Sequence, residues 1–272
     1  MKVNQDVRGR PLPCELYMDG YLKTNLDTLF KLVSKQWDGI NCTWGYEGDG
    51  KTVLEMQKNL YLNADFNLDN IVFNPEQFNE AVDNAKQYDT ILWDEADILA
   101  GNWWDDILQT LISKFKRIRS KNLFVSLVTP TVFDMNRYFV IHRTRFGIEV
   151  YSKGFERGYF KFFNRARKKT MYLKGKRDWN TNVVKPNFIG RFTNLPVGFP
   201  VDMIAYNNKK DEATIDLMKA QGLSKLQHLA KYRKTCLIKL KEFLDKGGIK
   251  ATQEEYSNIF GVDRSNISRD LK

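Results

Sequence analysis

Short apolar runs alternate with longer amphipathic runs between Gly39 and about Val150. The short runs are GINCT at 39–43, IVF at 71–73, TILW at 90–93, NLFVSLV at 122–128 and FGIEVY at 146–151. Between them lie the longer amphipathic runs KTVLEMQKNLYL, PEQFNEAVDNAKQY and DDILQTLISKFKRIRS, and in the last of these apolar residues recur at helical spacing. Short apolar runs are typical of buried strands, and longer periodic runs are typical of amphipathic helices. The alternation predicts an α/β fold with a mostly parallel sheet that helices cover on both faces.

The pattern changes on both sides of this region. Residues 1–35 form an N-terminal lead with a predicted helix around Thr24–Lys35. The region at about 145–190 is rich in aromatic and basic residues, and predicts strands or hairpins. Turns are expected there at Gly154, Gly158 and Gly175. After a proline- and asparagine-containing stretch the pattern is helical, so we predict two domains, at 1–206 and at 207–272.

Charge narrows the class of partner. The chain has 272 residues, is 42% hydrophobic and carries a formal net charge of +10. Such a charge favours binding to polyanions, which means nucleic acid or an anionic membrane surface. The alternative is a basic, soluble protein whose charge serves no polyanionic partner.

The longest apolar stretches are far shorter than the roughly 20 residues that span a bilayer. The first residues contain no continuous apolar run of the secretory type. We therefore expect a cytoplasmic protein without a membrane partner.

Cysteine and histidine are too sparse for a metal centre. The cysteines Cys14, Cys42 and Cys236 are far apart and form no C-x-x-C pair. The two histidines, His142 and His228, cannot build a site by themselves. We therefore expect neither a disulfide framework nor protein-bound zinc, and a reducing compartment.

A glycine-rich stretch supplies the first candidate chemistry. GYEGDGKT at 45–52 fits the pattern G-x-x-x-x-G-K-[ST] at every specified position. Glycines let backbone amides converge on phosphates, the lysine adds a cation, and the Thr52 hydroxyl can ligate Mg²⁺. An ordinary glycine-rich turn is the alternative, but a strand before and a helix after favour the phosphate loop. We predict ATP and Mg²⁺ as cofactors, held by Gly45, Gly48, Asp49, Gly50, Lys51 and Thr52.

A second candidate follows the apolar run TILW. Asp94 falls at the carboxyl end of this predicted strand, where an open α/β sheet binds its ligands. We expect Asp94 to hold Mg²⁺ with Thr52, and Glu95 to orient or deprotonate a water molecule as a catalytic residue. The alternative for Glu95 is a carboxylate that complements a helix dipole. For Asp97, a role in capping a helix or in a salt bridge is at least as good an interpretation as a role in the nucleotide site.

A third strand also ends in a polar residue. Thr129 closes the run LFVSLVT, just before Pro130. In a sheet whose strands end at one crevice, Thr129 could reach the γ-phosphate or the attacking water. A plain strand-ending threonine is the alternative.

Together these elements carry a family resemblance over roughly residues 39–150. The phosphate loop, the Asp-Glu pair and the further strand with a polar tip resemble P-loop ATPases of the additional-strand, catalytic-glutamate type. WDEAD and TPTVFDMNRYFVIHRTRF resemble the FtsK–HerA-like DNA-pumping ATPases, which include viral packaging ATPases and zonular-occludens-toxin-like proteins of filamentous phages. Two features depart from this group. The sequence shows no membrane span of the filamentous-phage kind, and its acidic residues after 150 form no cluster typical of a nuclease.

The resemblance implies assembly into a ring, often a hexamer. In such rings an arginine of one subunit reaches the γ-phosphate of its neighbour and stabilises the transition state. The candidates for this arginine finger are Arg137, Arg143 and Arg145, and for each a surface or DNA-facing charge is the alternative. For a viral protein, the location would be the cytoplasm of the host cell.

Two further segments bear on nucleic acid. In residues 157–179, basic and aromatic side chains are interleaved. Basic side chains can neutralise the phosphates of a nucleic acid, and aromatic side chains can stack on its bases. A half-buried hairpin is the alternative.

QEEYSNIFGVDRSNISRDLK at 253–272 resembles the helix-turn-helix of DNA-binding regulators, with Gly261 at the turn. Its expected core is Tyr256, Phe260, Val262, Ile267 and Leu271. Its second helix would present Arg264, Ser265, Asn266, Ser268 and Arg269 to DNA. A helical bundle that assembles a ring is the alternative.

These observations predict an ATP-hydrolysing motor that acts on DNA, by translocation or by packaging the genome of a virus or mobile element. Double-stranded DNA is the expected polymer, and RNA stays an alternative. The rival function is a nucleotide-switched, DNA-binding regulator of replication or transcription. A third interpretation is an assembly protein with a vestigial nucleotide site, against which the intact Glu95 argues.

Overall fold

A computed structural model describes residues 1–37, 39–96, 114, 117–246 and 251–270. It excludes the side chains of 217–232, 235, 239, 242, 243, 245, 246, 264 and 270. Asp97 and most of the helix expected at 105–120 lie outside the described residues, although 117–120 are helical. The chain divides into two compact units, Met1–Asp211 and Glu212–Lys272.

The first unit begins with a two-stranded hairpin and a helix. Strands β1 (Lys2–Gln5) and β2 (Pro11–Tyr17) pair antiparallel. Helix α1 (Gly20–Val33) starts four residues before its predicted position, because Asp19 caps it by accepting hydrogen bonds from the amides of Tyr21 and Leu22. The further elements of this unit are β3 (Gly39–Trp44), α2 (Lys51–Leu62), β4 (Ile71–Val72), α3 (Pro75–Asn84), β5 (Thr90–Trp93), β6 (Phe124–Thr129), β7 (Thr144–Lys153), β8 (Glu156–Asn164), α4 (Arg165–Gly175), β9 (Phe188–Arg191) and the first turns of α5 (Met203–Lys246).

Seven strands form one sheet in the order β4-β5-β6-β3-β7-β8-β9. The first five are parallel to one another, and β8 and β9 extend the sheet antiparallel. Every residue of β3 and β6 is buried, as expected of central strands in a covered sheet. The predicted mixed α/β fold with a mostly parallel sheet is confirmed. β6 lies between β3 and β5, so it separates the strand before the phosphate loop from the strand that ends at Asp94.

A buried polar cluster joins α2 to β3. The ammonium of Lys58 donates to Glu55 at 2.6 Å and to Asn41 at 2.7 Å, and the Thr43 hydroxyl donates to Glu55. Neither charged side chain is exposed to solvent. A buried ion pair is best tolerated when further hydrogen bonds satisfy its charges. Asn41 and Thr43 supply two such bonds here, whereas Glu55 Oε2 has no hydrogen-bond partner among the described residues. The cluster therefore fixes the helix that follows the phosphate loop against the strand that precedes it.

The prediction of strands or hairpins through 145–190 is wrong in part. β7 and β8 form a hairpin around Gly154, but residues 165–175 are the helix α4, and Gly158 lies inside β8. The side chain of Asn164 caps α4 by accepting a 3.0 Å hydrogen bond from the Arg167 amide. The helix buries one face at helical spacing, with Lys168, Met171, Tyr172 and Gly175.

The aromatic residues of this region belong mostly to the core. Phe160, Phe162, Phe163 and Tyr172 are each at most 2% exposed, so they are not available to stack on bases. Trp179, by contrast, is 59% exposed. The half-buried hairpin is therefore the better interpretation of these aromatic side chains.

The second unit contains the end of α5 and two short helices, α6 (Gln253–Phe260) and α7 (Arg264–Asp270). Thr252 and Glu255 form a capping box at the start of α6, and Gly261 ends it with a left-handed φ of +60°. Leu237, Tyr256 and Ile267 are buried together, with Phe260 and Val262 packed against them. Leu271 lies outside the described residues. Among the helices described in either unit, none is both long and apolar enough to cross a membrane.

Candidate phosphate-binding cleft

The loop between β3 and α2 needs glycine at the positions where it bends. Gly45 has a φ of +151°, and a Cβ atom there would lie 2.2 Å from the carbonyl oxygen of Val150. Gly50, with a φ of +95°, precedes α2 in the left-handed conformation. Side chains other than glycine rarely adopt these angles. The loop therefore approaches β7 closely and leads directly into the N-terminus of α2.

Lys51 lies along the inner side of this loop. Its ammonium donates hydrogen bonds to the carbonyl oxygens of Gly45, at 2.8 Å, and Tyr46, at 3.0 Å. Burial lowers the pKa of Lys51, while the charges of Asp94 and Asp49 oppose that shift. Asp49 is itself buried and accepts a 2.6 Å hydrogen bond from the Ser152 hydroxyl. Asp49 thus ties the loop to β7.

Asp94 follows β5 at the carboxyl end of the sheet. Its amide donates to the Val72 carbonyl at 2.9 Å, which continues the β4–β5 ladder. Its Oδ2 accepts hydrogen bonds from the hydroxyls of Thr52, at 2.9 Å, and Tyr206. Burial raises the pKa of Asp94, and these two hydrogen bonds oppose the shift. The Thr52 hydroxyl and the Asp94 carboxylate therefore place hard oxygen ligands together, as Mg²⁺ prefers.

Glu95 adopts an unusual backbone conformation. Its φ of +59° is left-handed, which is uncommon for a residue with a side chain. The Glu95 amide donates to Asp94 Oδ1 at 3.1 Å, and Glu95 Oε1 lies 2.7 Å from the ammonium of Lys210. Burial alone would lower the pKa of Lys210, but the hydrogen bond and charge of Glu95 outweigh it, and the pKa is raised.

Thr129 lies at the carboxyl end of β6, in the same region. It is buried, and its hydroxyl donates to the carbonyl of Thr131 at 2.9 Å. The following Pro130 accepts a 3.2 Å hydrogen bond from the Gly45 amide. The end of β6 is therefore joined to the start of the phosphate loop.

These elements surround one open cleft with a volume of about 450 Å³. The cleft brings together the predicted residues Gly48, Gly50, Lys51, Thr52, Asp94, Glu95 and Thr129. It also includes Arg157, the first residue of the basic and aromatic segment, and three residues of α5 that no sequence motif indicates, Met203, Tyr206 and Lys210. Tyr206 is 112 residues away from Asp94, its hydrogen-bond partner. No local motif distinguishes MIAYNNKK from other helical sequence, so the sequence contains no signal for these contacts.

The three arginine-finger candidates do not line this cleft. Arg137 is exposed, Arg143 is half-buried, and the guanidinium of Arg145 lies 4.7 Å from the ring centre of Trp37. A finger acts on a neighbouring subunit, so its place in its own chain does not decide its role.

The predicted DNA-contacting residues lie on α7 in the second unit. Ser265 and Arg269 are exposed, and Asn266 and Ser268 are half-buried. Arg269 donates a 2.9 Å hydrogen bond to the Asn266 side chain. The side chain of Arg264 lies outside the described residues.

Comparison with known proteins finds weak similarities of structure. No family model and no curated protein matches the chain. One similar solved structure is the N-terminal domain of zonular occludens toxin from Neisseria meningitidis. It is 12% identical, with a TM-score of 0.39, over 60% of this chain and 97% of that one. Another is replication initiator DnaA bound to AMPPCP and single-stranded DNA, 13% identical, with a TM-score of 0.34, over 92% and 84% of the two chains.

Proposed function

We propose that this protein is a P-loop NTPase that binds ATP with Mg²⁺ and hydrolyses it. The observation that carries the proposal is the convergence of Lys51, Thr52, Asp94 and Glu95 on one cleft at the carboxyl end of the parallel sheet. A glycine-rich turn without a ligand would not require the buried Asp94 carboxylate beside Thr52, or the Glu95 carboxylate next to Asp94.

The residues fit a magnesium nucleotide by their chemistry. The Thr52 hydroxyl and Asp94 carboxylate are oxygen ligands, and the loop amides and the Lys51 ammonium suit phosphate oxygens. Bound Mg²⁺ would neutralise the charge that develops on the phosphates. Lys51 would contact the β- and γ-phosphates, and Thr129 would sense the γ-phosphate from the end of β6. Glu95 would orient the attacking water and accept its proton.

We further propose that hydrolysis is coupled to double-stranded DNA. The net charge of +10 supports a polyanionic partner. In the second unit, the short helix α7 follows a left-handed Gly261, and its exposed side chains include Ser265 and Arg269. Arg264, Ser265, Asn266, Ser268 and Arg269 would contact base edges or phosphates, as in a helix-turn-helix.

The function that combines these parts is a DNA translocase or packaging motor of a virus or mobile element. Such a motor would assemble as a ring, for instance a hexamer, with an arginine supplied to the neighbouring site. Arg137 is the exposed member of the three candidates, and it follows β6, whose end lies at the cleft. Arg143 and Arg145 stay alternatives.

The second candidate function is a nucleotide-switched regulator of replication or transcription. The paired helices α6 and α7, with polar side chains exposed on the second helix, favour it, because such a pair can read a DNA sequence. Fast turnover stimulated by any DNA sequence would favour the motor. Slow turnover together with one preferred DNA site would favour the regulator.

Nucleotide binding tests the first proposal directly. A fluorescent ATP analogue, mant-ATP, is titrated with Mg²⁺ into the wild type, into Lys51→Ala, and into Lys31→Ala, which removes an exposed lysine of α1. A hydrogen bond between charged groups contributes about 1.5–3 kcal/mol, so Lys51→Ala should raise the Kd roughly 10- to 100-fold. Lys31→Ala should bind like the wild type. Equal affinity for all three proteins would contradict the proposal.

A further inference from the structure

The first turns of α5 are fastened to the edge of the sheet beside the cleft. The ammonium of Lys209 donates to the carbonyl oxygens of Leu68, at 3.0 Å, and Ile71, at 2.7 Å. The ring of Tyr206 packs against Phe73, with ring centres 5.4 Å apart. These contacts all lie within the first unit, and they set the position from which Tyr206 and Lys210 face the carboxylates.

Tyr206 engages the same carboxylate oxygen as the threonine of the phosphate loop. Asp94 Oδ2 accepts hydrogen bonds from both Thr52 and Tyr206, and Asp94 Oδ1 accepts one from the Glu95 amide. A carboxylate oxygen offers about two lone-pair positions. Both positions of Oδ2 are therefore engaged, and a magnesium ion that binds Oδ2 must displace a hydroxyl.

Lys210 engages the candidate base in a similar way. Its ammonium lies 2.7 Å from Glu95 Oε1, and the two side chains are 34% and 49% exposed. The Glu95 oxygen that contacts the ammonium is directed at α5 rather than at water. Partly exposed ion pairs contribute little to stability, so this pair can be broken at small cost.

We propose that Tyr206 and Lys210 are positioning residues that hold Asp94 and Glu95 in a resting arrangement, which the magnesium nucleotide must displace before hydrolysis. Lys210 lines the same cleft, so a γ-phosphate bound there would compete with Glu95 for its ammonium, and the ion pair would break after binding and before hydrolysis. The Glu95 carboxylate is then released for water. The inference rests on the proposed nucleotide site and adds two residues to it.

The test compares Lys210→Ala, Lys210→Arg and Tyr206→Phe with the wild type. Asn208→Ala, which alters an exposed residue of the same turn, is the matched control. Loss of a partly exposed ion pair shifts an equilibrium by roughly 1.5- to 5-fold. Because the ion pair would be broken after the nucleotide binds and before hydrolysis, Lys210→Ala should raise kcat by about that factor. Lys210→Arg should restore the wild-type kcat, because it keeps the ion pair, and Asn208→Ala should not differ from the wild type.

Tyr206→Phe gives a readout that does not depend on turnover. Without the phenol hydroxyl, the Mg²⁺ concentration that gives half-maximal enhancement of mant-ATP binding should fall several-fold. An unchanged Mg²⁺ dependence, or a kcat of Lys210→Ala at or below that of the wild type, would overturn the inference. If the wild type binds mant-ATP no better than Lys51→Ala, the nucleotide site itself is wrong, and the inference fails with it. The mant-ATP titrations therefore distinguish the two failures.

Discussion

Thr52 and Asp94 lie 42 residues apart in the chain, yet the Thr52 hydroxyl donates a 2.9 Å hydrogen bond to Asp94 Oδ2. Thr52 belongs to the first turn of α2, and Asp94 follows β5. The strand β6 separates β5 from β3, so this contact bridges the sheet above an intervening strand. The pair places a hydroxyl and a carboxylate where a divalent cation could join the phosphate loop to the second carboxylate, Glu95.

The first prediction concerns the charge of Asp94. Asp94→Asn keeps the size of the side chain but removes the negative charge, so the affinity for mant-ATP in the presence of Mg²⁺ should fall about tenfold or more. Burial raises the pKa of Asp94, which means that the folded state disfavours its charged form. The variant should therefore melt at or above the wild-type temperature.

Calorimetry and the mant-ATP titration check the two parts of this prediction. Asp178→Asn, which changes an exposed carboxylate, is the control and should alter neither quantity. A melting temperature several degrees lower for Asp94→Asn would show that the carboxylate has a structural role, and would argue against the magnesium site.

The second prediction compares two glycines of the loop. A Cβ atom at Gly45 would lie 2.2 Å from the Val150 carbonyl oxygen, whereas at Gly48 the nearest atom is Arg157 Nη2 at 3.9 Å. Both residues have a positive φ that side chains other than glycine rarely adopt, and at Gly48, nearer the left-handed region, alanine costs about 1–2 kcal/mol. Gly45→Ala must in addition move the loop away from β7. It should lower the melting temperature further than Gly48→Ala does and should abolish mant-ATP binding. Equal effects of the two substitutions would show that the loop does not depend on this close approach.

The third prediction concerns a lysine buried beneath the sheet. Burial lowers the pKa of Lys168 from 10.5 to about 8, and its ammonium donates to the hydroxyl and carbonyl of Thr144. Between these two pKa values the unfolded chain keeps the Lys168 proton, whereas the folded protein releases it. Lys168 therefore makes the free energy of unfolding rise with pH across this window, by a total on the order of 3 kcal/mol.

The difference between the wild type and Lys168→Met, measured by urea unfolding from pH 8 to pH 10.5, isolates this contribution. The stability of the wild type relative to the variant should increase with pH. Lys169→Met, at the exposed neighbouring position, is the matched control for replacing a lysine by methionine. A constant difference for Lys168→Met would mean that the buried lysine has an ordinary pKa.

Sequence patterns predict the helices and strands whose ends depend on neighbouring residues in the chain. The run KTVLEMQKNLYL is α2 in full, and TILW is β5, because periodicity and flanking turn residues determine where such elements begin and end. Helix α4 was missed, because the alternation in YFKFF was extended past Asn164, whose capping hydrogen bond starts a helix.

The composition of the cleft was only partly predictable. Two short motifs, GYEGDGKT and the Asp-Glu pair after TILW, contain the predicted residues Lys51, Thr52, Asp94 and Glu95. Tyr206 reaches Asp94 through packing of a distant helix, and nothing in its neighbours distinguishes it from any tyrosine in an amphipathic helix. Side chains that join a site only through tertiary contacts leave no periodic signal.

The measurement that tests the central claim most directly is steady-state ATP hydrolysis with and without double-stranded DNA. It compares the wild type with Lys51→Ala and Glu95→Gln. We predict that DNA stimulates the wild type and that both substitutions abolish turnover, with Glu95→Gln still binding mant-ATP. A wild type that binds ATP but turns it over no faster than Glu95→Gln, with or without DNA, would contradict the account and leave the nucleotide-switched regulator as the better function.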